Sequence, residues 1–443
     1  MTMTLRDLEA CFEGVIPSII ATADAEGVPN ISYLSHVSMV DDEHVALSNQ
    51  FFAKTAANIR LNPKATLVVV DGLTGAQSRL HLAFAYTLEE GVLFDRLAQE
   101  VAAGGAQVGL SDVMRLRCVD VFRVVAIEAV PSPVEVAAAS ARMRPDRLAA
   151  AERIVAAIAA ATDAGGVVDA LLGGIAGHLG FDHALLFQSY GEKAQITAIG
   201  STGYVPSGIG AEVPFGEGLI GSAAASGRIV KVSDMSRIRR FGSAVRHSSP
   251  DENRTREIVL PGMAEAMSQI AVPLVVQGHV EGVLFVESGR RLAFTREDEA
   301  ALSIVARQAA VSLALCERMS FDPEAAFPAD AAPAAGGSRI DVAHHPFDDS
   351  VFINGDYVIK GVAGRLLVHM LGQYLDGGRR EFTNREIRLD TSLRLPDYKD
   401  NLETRLLLLR RRLDEKHLPI RLLQLGRGKI GLAVEGEVRL TRR

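Results

Sequence analysis

The stretch VPFGEGLIGSAAASGRIVKVSD, residues 213–234, restricts the fold of this chain more than any other. Its pattern reads strand, glycine turn, short helix, second glycine turn, strand. Pro214 closes the first strand, and Gly216 and Gly218 permit the sharp turn. Leu219, Ile220 and Ala223 give the helix an apolar face, and Gly227 ends it. Downstream, SQIAVPLVVQGHVEGVLFVES alternates as two strands around Gln277-Gly278-His279, and FTREDEAALSIVARQAAVSLALCERMS is an amphipathic helix whose Thr295 opens a capping box.

These pieces resemble a GAF domain, over most of residues 146–320. The resemblance implies a sensor that binds a small molecule and passes the event along its flanking helices. Residues 133–161 read as connecting helix, broken in two with Pro145 opening the second half. Paired flanking helices imply a homodimer with an aliphatic seam of Leu302, Val305, Ala309 and Leu313. The long polar insertion SRIRRFGSAVRHSSPDENRTREIVLPGMAEAM is either a lid, with Phe241, His247 and Tyr204 as ligand contacts, or a plain surface loop. His178 and His183, five apart, do not share a helical face, which argues against a metal pair.

At 443 residues the chain has room for about three domains. MTMTLRDLEACFEG lacks the positive, apolar character of a leader, and the longest apolar runs are interrupted by Pro, Gly, His and Glu. No membrane span is expected, and a cytoplasmic protein is. Cys11, Cys118 and Cys316 are too few and too scattered for a disulfide framework or a zinc site.

Residues 1–132 read as a leading helix, β-rich runs separated by Ala25-Glu26-Gly27 and Asp41-Asp42-Glu43, a short helix over 53–62 stopped before Pro63, and further strands: a compact barrel. The pieces ATADAEGVPNIS, LSNQFFAKTAANIRLNPKATLVV and SRLHLAFAYT are similar to the pyridoxamine 5′-phosphate oxidase-like FMN-binding split barrels, over residues 8–130. The resemblance implies FMN as cofactor, its phosphate on Ser48, Asn49, Lys54 and Thr55, and its ring beside the strand at His36. Ala83 and Ala85 stand where that family commonly has glycine, and the alternative is a barrel without flavin in which Lys54 is simply solvated. FMN carries its own hydride chemistry, so no obligatory catalytic side chain is expected. His36 and His81, on strands, read as ordinary hydrogen-bonded residues.

Residues 321–346, rich in Pro, Ala and Gly, read as a flexible linker. Beyond it come a hairpin around Asn354-Gly355-Asp356, an amphipathic helix, a helix capped by Thr383 or Asn384, the leucine-rich helix NLETRLLLLRRRLDEK and two strands joined at Gly426-Arg427-Gly428-Lys429. INGDYVIKG, FTNREI, LLLLRRRLDEK and LLQLGRGKIGLAV resemble the winged-helix domain of OmpR/PhoB-type regulators. This implies DNA contacts from Lys399, Asn401, Arg405 and Arg412, with Arg427 and Lys429 on phosphates. From residue 375 onward 17 Lys and Arg face 11 Asp and Glu, in a chain of net charge −7. The four leucines 406–409 do not fit one buried stripe, so a helix that docks on protein is the rival to one that reads DNA.

The expectation is a multidomain α+β chain: split β-barrel over 1–132, GAF-like α/β sandwich over 133–320, linker over 321–346 and winged helix over 347–443. It would act as a one-component transcriptional regulator. The alternative is an FMN-dependent oxidoreductase whose C-terminal domain only binds protein.

Overall fold

The computed structural model describes residues 3–443 apart from 14–15, 35, 50–52, 73, 108–115, 132–145, 191–193, 236–254, 320–338, 394 and 396–400. A 3-10 helix, Arg6–Phe12, leads into β1 (Ser18–Ala23), β2 (Pro29–Leu34), β3 (Val37–Met39) and β4 (His44–Asn49). Helix α1 (Ala53–Leu61), β5 (Lys64–Val70), β6 (Gln77–Leu88), α2 (Val92–Gln107) and β7 (Cys118–Val130) complete this part. The strands form one antiparallel sheet in the order β2-β1-β5-β6-β7-β4-β3. Alternation along β5 and β6 sends Leu67, Val69, Leu80 and Leu82 into its core, which Leu5, Leu8 and Cys11 of the leading segment close. Burial and then the charge of Asp71 push the Cys11 thiol up to about 12, which keeps it protonated.

The middle domain begins at α3 (Arg147–Ala160), capped by Asp146, and continues through α4 (Ala164–Gly174); Pro145 lies outside the described residues. Strands β8 (His183–Ser189), β9 (Gln195–Thr202), β10 (Glu212–Pro214) and β11 (Val230–Val232) join β12 (Ser268–Val276) and β13 (His279–Ser288) in the order β10-β9-β8-β13-β12-β11. Between β10 and β11 lies α5 (Gly218–Ser226), with Gly216, Gly218 and Gly227 all at positive φ. Gly221 has no alternative either, because a Cβ there would strike the Pro214 carbonyl. Helix α6 (Arg296–Met319) starts with the expected box: the Thr295 backbone N–H donates to Asp298 Oδ2 at 2.9 Å and the Asp298 N–H to Thr295 Oγ1 at 3.3 Å.

One expectation changes at α6. By length and composition alone this helix is apolar enough to cross a membrane, but in this fold it lies along the sheet of the middle domain, with its apolar stripe in the core. Leu302, Val305, Ala309 and Leu313, expected as a dimer seam, are buried inside the chain's own core with α3 and α4, because the helix's widest apolar stripe faces the sheet. Ile304, Val311, Leu315 and Met319 are the large apolar residues it exposes.

The segment expected as linker gains structure at its end. Arg339–His345 is β14, because Ile340, Val342 and His344 alternate inward once the Pro/Ala/Gly run stops. It pairs antiparallel with β15 (Ser350–Ile353), which pairs with β16 (Asp356–Ile359) through a turn with Asn354 and Gly355 at positive φ. Then come α7 (Gly361–Gly377), β17 (Glu381–Thr383), α8 (Asn384–Leu389), α9 (Leu402–Glu415), β18 (Ile420–Gly426), β19 (Lys429–Val434) and β20 (Glu437–Arg442). The sheets are β16-β15-β14-β20 and β17-β19-β18, with β20 parallel to β14. A single apolar core runs from α3 and α4 of the sensor through α7 and α9 to Val438.

Candidate functional site

In the barrel, the expected phosphate donors are tied to protein. The Ser48 hydroxyl donates to the His36 carbonyl at 3.2 Å, and the Asn49 amide donates to Asp120 Oδ2 at 3.1 Å. The Thr55 hydroxyl lies 2.9 Å from Asn30 Nδ2 and 3.0 Å from the Ser32 hydroxyl, which fastens α1 to β2. All three residues are buried, while Lys54 is exposed. His36 has a buried Nδ1 without a hydrogen-bond partner, and burial lowers its pKa, so the imidazole is neutral.

In the sensor, α5 and the loop after β9 cover the sheet face that carries Leu185, Phe187, Val283 and Phe285. Glu287 continues that face, two residues beyond Phe285, and is 2% exposed. Its carboxylate accepts the Tyr204 hydroxyl at 2.6 Å, Gln269 Nε2 at 2.6 Å and the Met263 N–H at 2.9 Å. Burial, reinforced by the Glu287 charge, raises the Tyr204 pKa, so its hydroxyl stays a donor. Tyr204 is thus an anchor for the loop that leads to Ser207, and Glu287 and Gln269 complete a buried polar cluster that sequence reasoning missed. Phe241 and His247 lie outside the described residues.

Helix α9 is where the structure departs most from expectation. Leu406, Leu407, Leu408 and Leu409 are all buried, because one side of the helix meets its own domain and another meets the sensor. Asn401 is the N-cap: its Oδ1 accepts the Thr404 N–H at 3.1 Å. Arg405 stacks on Tyr190 of the sensor, its guanidinium carbon 4.1 Å from the ring centroid. Arg412, 2% exposed, donates to the Val358 carbonyl at 3.1 Å and to Glu415 at 2.9 Å. In this arrangement Asn401, Arg405 and Arg412 face protein rather than an open surface. Lys399 lies outside the described residues. Arg427 is exposed and Lys429 half-buried on the β18–β19 hairpin.

Polar contacts fix α9 to the sensor. Arg411 donates to the Ile199 carbonyl at 2.9 Å and to Asp169 at 2.6 Å. The Ser207 hydroxyl donates to Glu415 at 2.6 Å. On α6, Glu317 accepts Arg388 Nη2 at 2.6 Å and the Glu403 N–H at 2.8 Å. Glu403 itself is buried beside Glu317; burial first and that neighbouring charge second push its carboxyl up to about 7. Among the described residues no group of three metal-ligating side chains exists.

Residues 6–124 match the family model of pyridoxamine 5′-phosphate oxidase, and residues 163–313 match that of the GAF domain. The N-terminal domain is therefore pyridoxamine 5′-phosphate oxidase-like and the middle one is a GAF domain. No curated protein matches the chain. Among solved structures, an FMN-binding protein from Syntrophomonas wolfei is similar at 22% identity, covering 28% of this chain and 88% of that one with a TM-score of 0.24. The GAF domain of an Acinetobacter phosphoenolpyruvate-protein phosphotransferase is similar at 21% identity, covering 39% and 95% with a TM-score of 0.33. Free methionine-R-sulfoxide reductase from Neisseria meningitidis is similar at 19% identity, covering 38% and 87% with a TM-score of 0.30.

Of the side chains expected to hold a flavin phosphate, Ser48 and Asn49 donate to protein partners and Thr55 accepts from Asn30, while Lys54 is exposed; the Asp120 carboxylate beside Asn49 repels a dianion, and residues 50–52 lie outside the described residues.

Proposed function

We propose that this chain is a ligand-responsive sensor in which the pyridoxamine 5′-phosphate oxidase-like and GAF domains form the input and the C-terminal domain is a winged-helix output for DNA. The observation that carries this reading is the clamp on α9. The third helix of the output domain, the one a winged helix places in the major groove, is held by Arg411, Glu415 and Arg405 on the sensor. The winged-helix reading is supported by the element order, a strand sheet followed by three helices and a terminal hairpin, and by β17 pairing with that hairpin.

The clamp is joined to the buried polar cluster around Glu287. Tyr204, fixed by Glu287, lies three residues before Ser207, and Ser207 holds Glu415, which in turn holds Arg412. A ligand that displaces the Tyr204 loop changes the stability of the docked state, and only a differential affinity for docked and undocked states can shift that balance. Docked, α9 is withheld from DNA; undocked, Arg405 and Arg411 are freed, while Arg412 stays tied to Val358 and Glu415 of its own domain.

The test is anisotropy of a labelled random-sequence duplex at low salt, with the full chain and with Asp169→Arg/Lys360→Glu, which reverses two sensor contacts, Asp169 with Arg411 and Lys360 with Glu212. The variant is expected to bind DNA more tightly than wild type. A variant whose output domain is loosened, as read by small-angle scattering, and which binds DNA no better overturns the reading. That result would favour a second one, motivated by the continuous apolar core: the C-terminal domain as a permanent protein-docked extension of the sensor.

A further inference from the structure

Between the barrel and the GAF domain lies a cleft of about 670 Å3, within the size range of small-molecule sites. The 3-10 helix and β3 form one wall, β11, β12 and α6 the other, and α2 lies at the rim. Five cationic side chains line it, Arg96, Arg228, Lys231, Arg296 and Arg307, against the carboxylates of Glu9, Glu13 and Glu299, in a chain that is acidic as a whole.

Part of that positive charge is already neutralised. Lys231 sits 2.6 Å from both Glu13 and Glu299, Arg296 sits 2.6 Å from Glu9, and Arg228 faces Asp95 at 3.5 Å. Arg96 and Arg307 are left, one from each domain, and among the described residues neither has a carboxylate at ion-pair distance. Against these guanidinium groups stand the neutral imidazole of His36, the side chains of Ser38 and Ser303, and apolar surface from Phe12, Met39, Pro273 and Val275. Guanidinium groups recognise phosphate by charge-assisted hydrogen bonds, and an apolar wall set with an imidazole and hydroxyls suits a heterocyclic body.

We propose that this interdomain cleft, and not the segment 48–55, is where the chain binds an organic phosphate, with Arg96 and Arg307 supplying the charge from opposite domains and the ligand body lying against His36 and Met39. Such a ligand touches both input domains, so it binds the assembled pair better than either part and stabilises their contact by mass action. This site stands apart from the DNA reading, since no DNA enters its test.

Isothermal titration of the full chain with FMN, riboflavin and AMP decides it, using wild type, Arg96→Ala/Arg307→Ala and Lys54→Ala. All three substituted residues are exposed, so the variants are expected to fold, and unfolding midpoints equal to wild type verify it. FMN or AMP is expected to bind wild type, and the double variant to lose about tenfold or more in affinity for that phosphate with Lys54→Ala unchanged. Riboflavin, which lacks the phosphate, is expected to ignore the double substitution. Loss on Lys54→Ala with the double variant unaffected overturns the proposal, as does the failure of both phosphates to bind at millimolar concentration.

Discussion

Replacing Glu403 by Gln is expected to abolish a pH dependence built into the seam between sensor and C-terminal domain. Glu403 is 7% exposed on α9, and Asn384 Nδ2 donates to it at 2.7 Å. Glu317 of α6 and Asp163 before α4 add negative charge, while Arg410 offsets part of it and Arg388 pairs with Glu317. Burial first, and Glu317 second, raise its carboxyl from the ordinary 4.5 to about 7. The folded state therefore keeps a proton that the unfolded chain releases above its own pKa. The stabilisation is fully present below about pH 4.5 and is lost as pH rises through about 7. A shift of that size corresponds to about 3 kcal/mol, at 1.36 kcal/mol per unit. Gln is neutral throughout, keeps an acceptor for Asn384 and offers an amide to Glu317. Urea unfolding of both proteins at about pH 5 and about pH 8 is the assay. The variant should gain on wild type as pH rises, by up to about 3 kcal/mol in the transition that reports the seam. Other carboxylates titrate equally in both proteins and cancel in the difference. A difference that stays constant across this range would refute the reasoning.

Tyr204→Phe removes the hydroxyl that Glu287 accepts at 2.6 Å, and is expected to cost about 1–3 kcal/mol in sensor unfolding and to loosen the Ser207 contact with Glu415; denaturant melts with exchange protection at residues 204–210 check both. If the chain dimerises through α6, the contact must come from Ile304, Val311, Leu315 and Met319, because Leu302, Val305, Ala309 and Leu313 are already covered. Val311→Glu/Leu315→Glu should then yield a monomer by light scattering with an unchanged melting point, and an unchanged dimer mass would exclude this face.

The sensor signature was legible because its determinants are local. Gly216, Gly218 and Gly227 mark the φ > 0 positions that the turns require, and alternation in residues 268–288 set both strands and their hairpin. The same held for Thr383 and Thr295, whose caps are written within four residues. What could not be read was which surface covers the second side of α9. Four consecutive leucines announce a helix buried on more than one side, but the covering residues, such as Asp169, Tyr190 and Ile199, lie more than 200 positions earlier in the chain. Asn401 could have been recognised as a cap from Thr404 three residues on, since an Asn side chain before an apolar helix satisfies the N3 amide. Glu287 carried a signal too, an acid in the inward register of an apolar strand. The cleft cations carried none, because Arg96 and Arg307 belong to different domains and meet only in the fold.

The basic excess of the C-terminal region is smaller in practice than its count of 17 against 11 suggests, and this gives the DNA reading a quantitative form. In the docked arrangement Arg379 pairs with Glu386, Arg388 with Glu317, Arg411 with Asp169, Arg412 with Glu415 and Arg421 with Glu435, while Arg405 covers Tyr190. Among the described residues, the hairpin cations Arg427, which is exposed and reaches the Thr162 carbonyl, and Lys429, half-buried, are the expected DNA contacts least covered by protein. Each phosphate neutralised contributes about −0.9 to the slope of log K against log salt. Binding by the hairpin alone therefore gives a slope of roughly −2, and release of α9 with Arg405 and Arg411 should steepen it to roughly −4. The same anisotropy titration, repeated over salt with wild type and Asp169→Arg/Lys360→Glu, separates the two arrangements without knowledge of the DNA sequence. Identical slopes for both proteins would mean that α9 never reaches DNA and that its arginines serve the sensor contact alone.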